Sequence, residues 1–150
     1  MKFYLAIGIF LLAGCSQLPT SQLPTRDCSK SVLGTWETTI PALYDSGKVQ
    51  SMPEMDLVVT YKPNGTFASL MKQPSDPKER SMAAIGSWTC IDKRLTLSIE
   101  SINGRPPKDP VHNVMVTEYE LRHVAPDSFD NYWREEDTTL HFRRSARSAP

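Results

Sequence analysis

Beyond residue 30 the chain alternates. Met55, Leu57, Val59 and Tyr61 take turns with Asp56, Val58, Thr60 and Lys62, the period-two pattern of a strand with one buried face. Pro63-Asn64-Gly65 follows and predicts a tight hairpin turn, with Asn-Gly supplying positive φ angles. The returning strand is Thr66–Lys72. Gly86-Ser87-Trp88-Thr89-Cys90 leads into a turn at Ile91-Asp92-Lys93, after which Leu95, Leu97 and Ile99 oppose Arg94, Thr96, Ser98 and Glu100. Met115, Thr117, Tyr119 and Leu121 oppose Val116, Glu118, Glu120 and Arg122. Pro126-Asp127-Ser128 turns the chain into Phe129–Arg134. Glu135-Glu136-Asp137 turns it again into Thr138–Arg144, where Leu140 and Phe142 alternate with His141 and Arg143.

With an opening strand at Val32–Thr39, the pattern predicts eight strands joined mostly by short turns. No run of ten or more residues carries an apolar stripe of helical period. The fold class is therefore all-β. Eight sequential antiparallel strands with one apolar face close most economically as an up-and-down barrel, because closure removes exposed edges. A two-sheet β-sandwich is the alternative, since strand count does not separate the two. Three connections are too long to be turns: Ile40–Glu54, Gln73–Ser81 and Asn103–Asn113. They are rich in Pro and Ser, and would frame any opening of the barrel.

The N-terminus breaks the pattern. Lys2 precedes an unbroken apolar run from Phe3 to Leu12, closed by Leu12-Ala13-Gly14-Cys15. About ten apolar residues are half of the roughly 20 that a helix needs to span a bilayer, but they suit the core of a signal peptide. The layout resembles a bacterial lipoprotein signal with its lipobox. That resemblance implies cleavage before Cys15, diacylglycerol on the Cys15 sulfur, and usually a third acyl chain on the freed amine. Two or more chains anchor stably, at roughly 0.8 kcal/mol per buried methylene. By the sorting rule of enterobacterial lipoproteins, Asp after the cysteine holds the protein at the inner membrane. Ser16 stands there instead, which implies the periplasmic leaflet of the outer membrane.

Residues 17–25 repeat Gln-Leu-Pro-Thr around Ser21, and proline at this density favours a solvated, extended tether. The predicted organisation is a signal peptide over 1–14, lipidated Cys15 and tether over 15–27, one β domain over 28–145, and a tail over 146–150. Removing residues 1–14 takes away only Lys2, so 17 basic side chains become 16 against 17 acidic ones. That balance, without a basic cluster, argues against a nucleic-acid partner. Lipid takes one of the three cysteines, leaving Cys28 and Cys90 in an oxidising compartment, where a pair predicts one disulfide. A two-cysteine metal or redox site is the alternative, and it lacks Cys-x-x-Cys spacing.

A second resemblance lies in the strands. Val32-Leu33-Gly34-Thr35-Trp36 resembles the Gly-x-Trp that opens the first strand of lipocalins, and Leu140-His141-Phe142-Arg143-Arg144 is similar to their last strand. Tyr61-Lys62-Pro63-Asn64-Gly65-Thr66-Phe67 and Gly86-x-Trp88 resemble small bacterial lipocalin-like lipoprotein domains. The likeness spans most of residues 30–144. It implies a barrel whose end is closed by Trp36 with Arg144 across its face, a structural pair. The chain lacks the Thr-Asp-Tyr turn and the C-terminal helix of the larger lipocalins.

An eight-stranded barrel is either filled by its own side chains or holds one small ligand. The inward candidates for ligand contact are Leu57, Val59, Tyr61, Phe67, Leu97, Ile99, Thr117, Tyr119 and Trp133. A filled core would show the same alternation. His112, His123 and His141 lack metal-ligand spacing. Met52-x-x-Met55 offers two thioethers to a soft ion, although Met55 also fits the apolar face of its strand. Glu135-Glu136-Asp137 is an acidic turn. No nucleophile elbow or other catalytic motif ties the Ser, His and Asp residues together, so no catalytic residue, metal or cofactor is assigned. Two functions follow from the sequence. One is a membrane-anchored, periplasm-facing lipoprotein whose barrel binds a small apolar ligand of fatty-acid or lipid type. The other is a non-enzymatic interaction lipoprotein with a filled barrel, serving envelope assembly or inhibiting an envelope protein through its loops.

Overall fold

The structure is a computed structural model and describes residues 27–45, 49–76, 78, 81–108 and 114–146. The apolar run, Cys15, the Gln-Leu-Pro-Thr repeat, His112 and most of the tail lie outside the described residues. One short helix, α1 (Ser29–Val32), precedes ten strands. These are β1 (Gly34–Ile40), β2 (Leu43–Asp45), β3 (Val49–Met52), β4 (Met55–Tyr61) and β5 (Thr66–Lys72). There follow β6 (Ser81–Ile91), β7 (Arg94–Ile102), β8 (Met115–Ala125), β9 (Ser128–Trp133) and β10 (Thr138–Arg144).

Eight of the strands form a closed antiparallel barrel in the order β1-β10-β9-β8-β7-β6-β5-β4, with β4 returning to β1. Chain neighbours are sheet neighbours throughout, so the alternating pattern closes as an up-and-down barrel and not as a sandwich. The remaining pair, β2 and β3, is a separate hairpin inside the connection 40–54. Its strands are too short for alternation to reveal them.

Strand starts differ most from the sequence pattern at β1 and β6, and the strand expected at Phe129–Arg134 is shifted by one residue, leaving Arg134 in the turn. Val32 belongs to α1, and the first strand begins at Gly34. β6 starts five residues before Gly86, because Met82 and Ala84 continue the inward face of Gly86 and Trp88. Four small or apolar residues in a row, Ala83 to Gly86, conceal that period. The register slips between Ile85 and Gly86, and a Cβ on Gly86 would strike the backbone carbonyl of Ser98. Gly86→Ala is expected to destabilise the domain by about 1–3 kcal/mol, the usual cost of overpacking against rigid backbone. Urea unfolding measures it, and an unchanged midpoint would show that β7 yields freely.

The hairpin turns also depart from the simple pattern. At Pro63-Asn64-Gly65 only Gly65 takes positive φ, and the Asn64 carboxamide accepts instead from the Thr66 amide at 3.1 Å. Both central residues take positive φ at Asn103-Gly104, and also at Asp92-Lys93, which has no glycine. The two-residue mirror turn therefore occurs where β6 meets β7 and at the end of β7.

Alternation sends the odd face of β4 and β7 and the even face of β6 inward. Val32, Trp36, Leu95 and Phe129 are completely buried, and Tyr61, Phe67, Trp88, Leu121 and Phe142 nearly so. Their rings interlock. Trp36 meets Phe129 edge-on at 4.7 Å, Phe129 stacks on Phe142 at 4.8 Å, and Tyr61 meets Trp88 at 5.3 Å. Cys28 and Cys90 are joined by a disulfide that pins the start of the domain to the end of β6, with Cα atoms 5.2 Å apart. The buried apolar core comes entirely from residues 32–142. The fragment 26–150 thus carries the closed sheet, the core and the disulfide that hold the domain together.

Candidate functional site

The barrel has one sealed end and one open end. At the sealed end Arg144 lies over Trp36, its Cζ 4.2 Å from the ring centroid. The Arg144 guanidinium donates to the Pro126 carbonyl at 3.0 Å, and the Trp36 indole donates to the Val32 carbonyl at 2.7 Å. Attraction between a guanidinium and an indole face contributes roughly 0.5–2 kcal/mol. α1 and the disulfide lie at the same end, where a shallow groove of about 510 Å³ is bordered by Leu33, Pro63, Trp88 and Ile91 outside the Trp36–Arg144 plug.

The other end is different. Met52, Met55, Leu57, Met71 and Ile99 pack against the core but remain partly exposed. All five methionines after Met1 stand at this end. Met71 faces Met82 directly across β5 and β6, Met115 opens β8, and Met52 and Met55 flank the entry to β4. Thioethers are flexible and polarisable, so a mouth lined with them adapts to apolar guests of differing shape. Among the described residues no group of three or more His, Cys, Asp or Glu side chains is brought together as a metal site.

The sheet is also incompletely zipped. β1 pairs with β4 over seven residues, but it meets β10 only at Trp36↔Arg144 and Glu37↔Arg143. Beyond these, toward the mouth, the facing edges of β1 and β10 separate. A groove of about 450 Å³ lies along this seam, bordered by Glu37, Thr38, Asp56, Leu57, Thr139 and His141. Thr38 and Leu57 belong to the inward face, so the groove reaches the wall of the upper barrel. His141 on its rim meets Asp130 at 2.8 Å.

The nine candidate ligand contacts separate by height. Val59, Tyr61, Phe67 and Leu97 are buried in the packed core near the plug. Leu57 and Ile99 are partly exposed toward the mouth, Thr117 and Trp133 are half-buried, and Tyr119 pairs with fully buried Leu95 close to the β6–β7 turn. The grooves described on the surface are not lined by Val59, Tyr61, Phe67 or Leu97. Residues that the strand pattern did not single out join the upper group, namely Ile40, Met71 and Met82, while Asn131 lies below them between buried Leu121 and Leu140. Asn131 is legible in phase with Phe129 and Trp133, as a polar residue on an apolar face.

No family model and no curated protein matches this chain.

Burial, with a smaller push from Tyr119, drives the Tyr61 hydroxyl far above its ordinary value. Burial first, and then the charge of Glu135, push Tyr119 up to about 12. The neutral phenol is thus the favoured form in the fold. Both contributions are complete below the unfolded value of about 10; that of Tyr119 is lost as pH rises from there through 12, and that of Tyr61 keeps falling at higher pH, because the unfolded chain releases protons that the barrel retains. Absorbance at 295 nm is expected to show Tyr61 and Tyr119 ionising only together with alkaline unfolding. Ionisation of both near pH 10 in a folded barrel would contradict this burial.

Proposed function

We propose that this chain is an acyl-anchored envelope protein whose lipocalin-like barrel binds one small apolar molecule, of acyl-chain type, in the half nearest the mouth. One observation carries the reading: the inward apolar face is sealed around Trp36 but left partly exposed around Leu57, Met71 and Ile99. Apolar surface held open inside a concave wall gains roughly 25 cal/mol for each Å² that a guest covers. The seam groove beside Leu57 offers a lateral entrance.

The anchor rests on Leu12-Ala13-Gly14-Cys15. Asp27 bridges Ile91 at the sealed end, so the chain joins the barrel there and the mouth points the other way. Twelve residues from Cys15 to Asp27 reach at most about 40 Å. An anchored barrel would then meet its ligand from the aqueous periplasm. Cys15→Ser is expected to move the protein from the membrane fraction to the soluble fraction. Retention of that variant in washed membranes would refute lipid anchoring.

The binding claim is tested by titrating fragment 26–150 with a dansyl-labelled alkyl chain and comparing Leu57→Arg with Val116→Arg. Leu57 faces inward, and Val116 is exposed on the outer face of β8 away from the seam. Affinity is expected to fall at least tenfold in the first and to hold in the second. The densely packed lower half supports the second reading, a filled barrel that serves protein contacts through its loops. Failure of the wild-type fragment to bind the probe would favour that one.

A further inference from the structure

Among the described residues, two polar atoms inside the barrel have no partner: the Asn131 side-chain oxygen and the Trp133 indole nitrogen. Asn131 is only 1% exposed and lies in register between Leu121 and Leu140, both nearly fully buried. It cannot reach solvent from there. A buried polar atom left unpaired keeps its full desolvation cost, so natural cores seldom hold two on one strand face. The two residues are two apart on β9, hence on the same face, with Cα atoms about 6.6 Å apart along the strand. They rise from the packed core at Phe129 toward the mouth.

Their chemistry is complementary. The Asn131 oxygen needs a donor and the Trp133 N–H needs an acceptor. A single neutral group that gives one hydrogen bond and takes another satisfies both. An anion does not, because it brings no donor for Asn131 and needs a countercharge. The inward strand positions carry no lysine, and their one arginine, Arg144, is committed to the plug. The negative field of Glu135 at neighbouring Tyr119 opposes an anion further. Tyr119 packs on Trp133 with ring centroids 6.1 Å apart, which fixes the indole against the wall.

We propose that Asn131 and Trp133 are the polar floor of the barrel's binding site, and that they select an apolar chain ending in a neutral donor–acceptor group, a hydroxyl or a primary amide, over one ending in a carboxylate. The inference rests on the proposed binding of an apolar molecule and names what that molecule carries at its buried end. The alkyl part lies among Leu57, Met71 and Ile99, above the floor.

Three probes of equal chain length test it on fragment 26–150: 1-decanol, decanoate at pH 8, and decyl methyl ether. Decanol is expected to bind about tenfold more tightly than either of the others, the loss expected for one unmade buried hydrogen bond. The Trp133 indole proton resonance, assigned through Trp133→Phe, is expected to move downfield with decanol and to stay in place with decanoate. In Asn131→Leu the preference for decanol over ether disappears while the melting temperature holds or rises, because an unpaired group has been removed. Trp133→Phe is expected to lose the same preference, which keeps the test decisive if either variant folds poorly. Equal affinity for decanol and ether in the wild type would overturn the assignment of the floor while leaving apolar binding intact. So would Asn131→Leu that melts lower yet keeps the preference. If none of the three probes binds, apolar binding itself fails and this inference with it.

Discussion

Trp36→Ala is expected to destabilise the barrel by about 3–5 kcal/mol, the range for deleting a fully buried large aromatic side chain. Trp36 is completely buried, and three kinds of contact end with it. Its indole N–H satisfies the Val32 carbonyl at 2.7 Å. Its edge meets Phe129 at 4.7 Å, and its face carries the Arg144 guanidinium at 4.2 Å. Alanine would leave a cavity, an unpaired carbonyl under α1, and a guanidinium deprived of its platform. Trp36→Phe keeps most of the volume and loses the hydrogen bond, so it is expected to cost about 1–2 kcal/mol. Small domains have only about 5–15 kcal/mol in total, so the alanine variant is expected to be partly unfolded at growth temperature. Equilibrium unfolding in urea gives the values. A loss under about 1 kcal/mol for Trp36→Ala would show that the plug does not hold the barrel closed.

Loss of the disulfide is the second large effect. Cys28 and Cys90 are 62 residues apart. Opening a loop of that length is expected to cost about 4 kcal/mol in the chain-entropy account. The bond also anchors a weak junction. The Cys28 amide donates to the Cys90 carbonyl at 3.3 Å, and Asp27 forms an isolated bridge with Ile91. Without the covalent link these two contacts and the burial of Val32 hold the start of the domain against the barrel. Cys28→Ser, Cys90→Ser and the double variant are expected to lose nearly the same stability, since each removes the same bond. The wild type in reductant is expected to match them. An unfolding midpoint unaffected by reductant would contradict the role given to this bond.

The strands were legible because alternation is a physical consequence of the pleat. Leu95, Leu97 and Ile99 had to share a face, and the short turns between strands made closure the economical way to hide edges. Alternation reports the face, however, and not the height within the barrel. Height depends on register and on the stagger that accumulates from strand to strand. For that reason Tyr61 and Leu57, neighbours on one inward face, carry the same sequence signal. Yet Tyr61 is packed beneath Trp88 while Leu57 borders the seam. The separation of β1 from β10 was hidden for the same reason, since pairing between the first and last strands leaves no local trace. Ala83 to Gly86 concealed the start of β6 by being uniformly small or apolar, and β2 and β3 were too short for any period. Asn131 was visible as an asparagine in phase with Phe129 and Trp133. Only the structure shows that its oxygen has no donor.

An upper barrel that holds one apolar molecule should keep it through purification. Native mass spectrometry of fragment 26–150, secreted into the periplasm of producing cells and purified without detergent, reads this out. A population carrying one small additional mass is expected, released on denaturation and missing from Leu57→Arg prepared in the same way. A fragment found only at its own mass, in both wild type and variant, would overturn apolar binding.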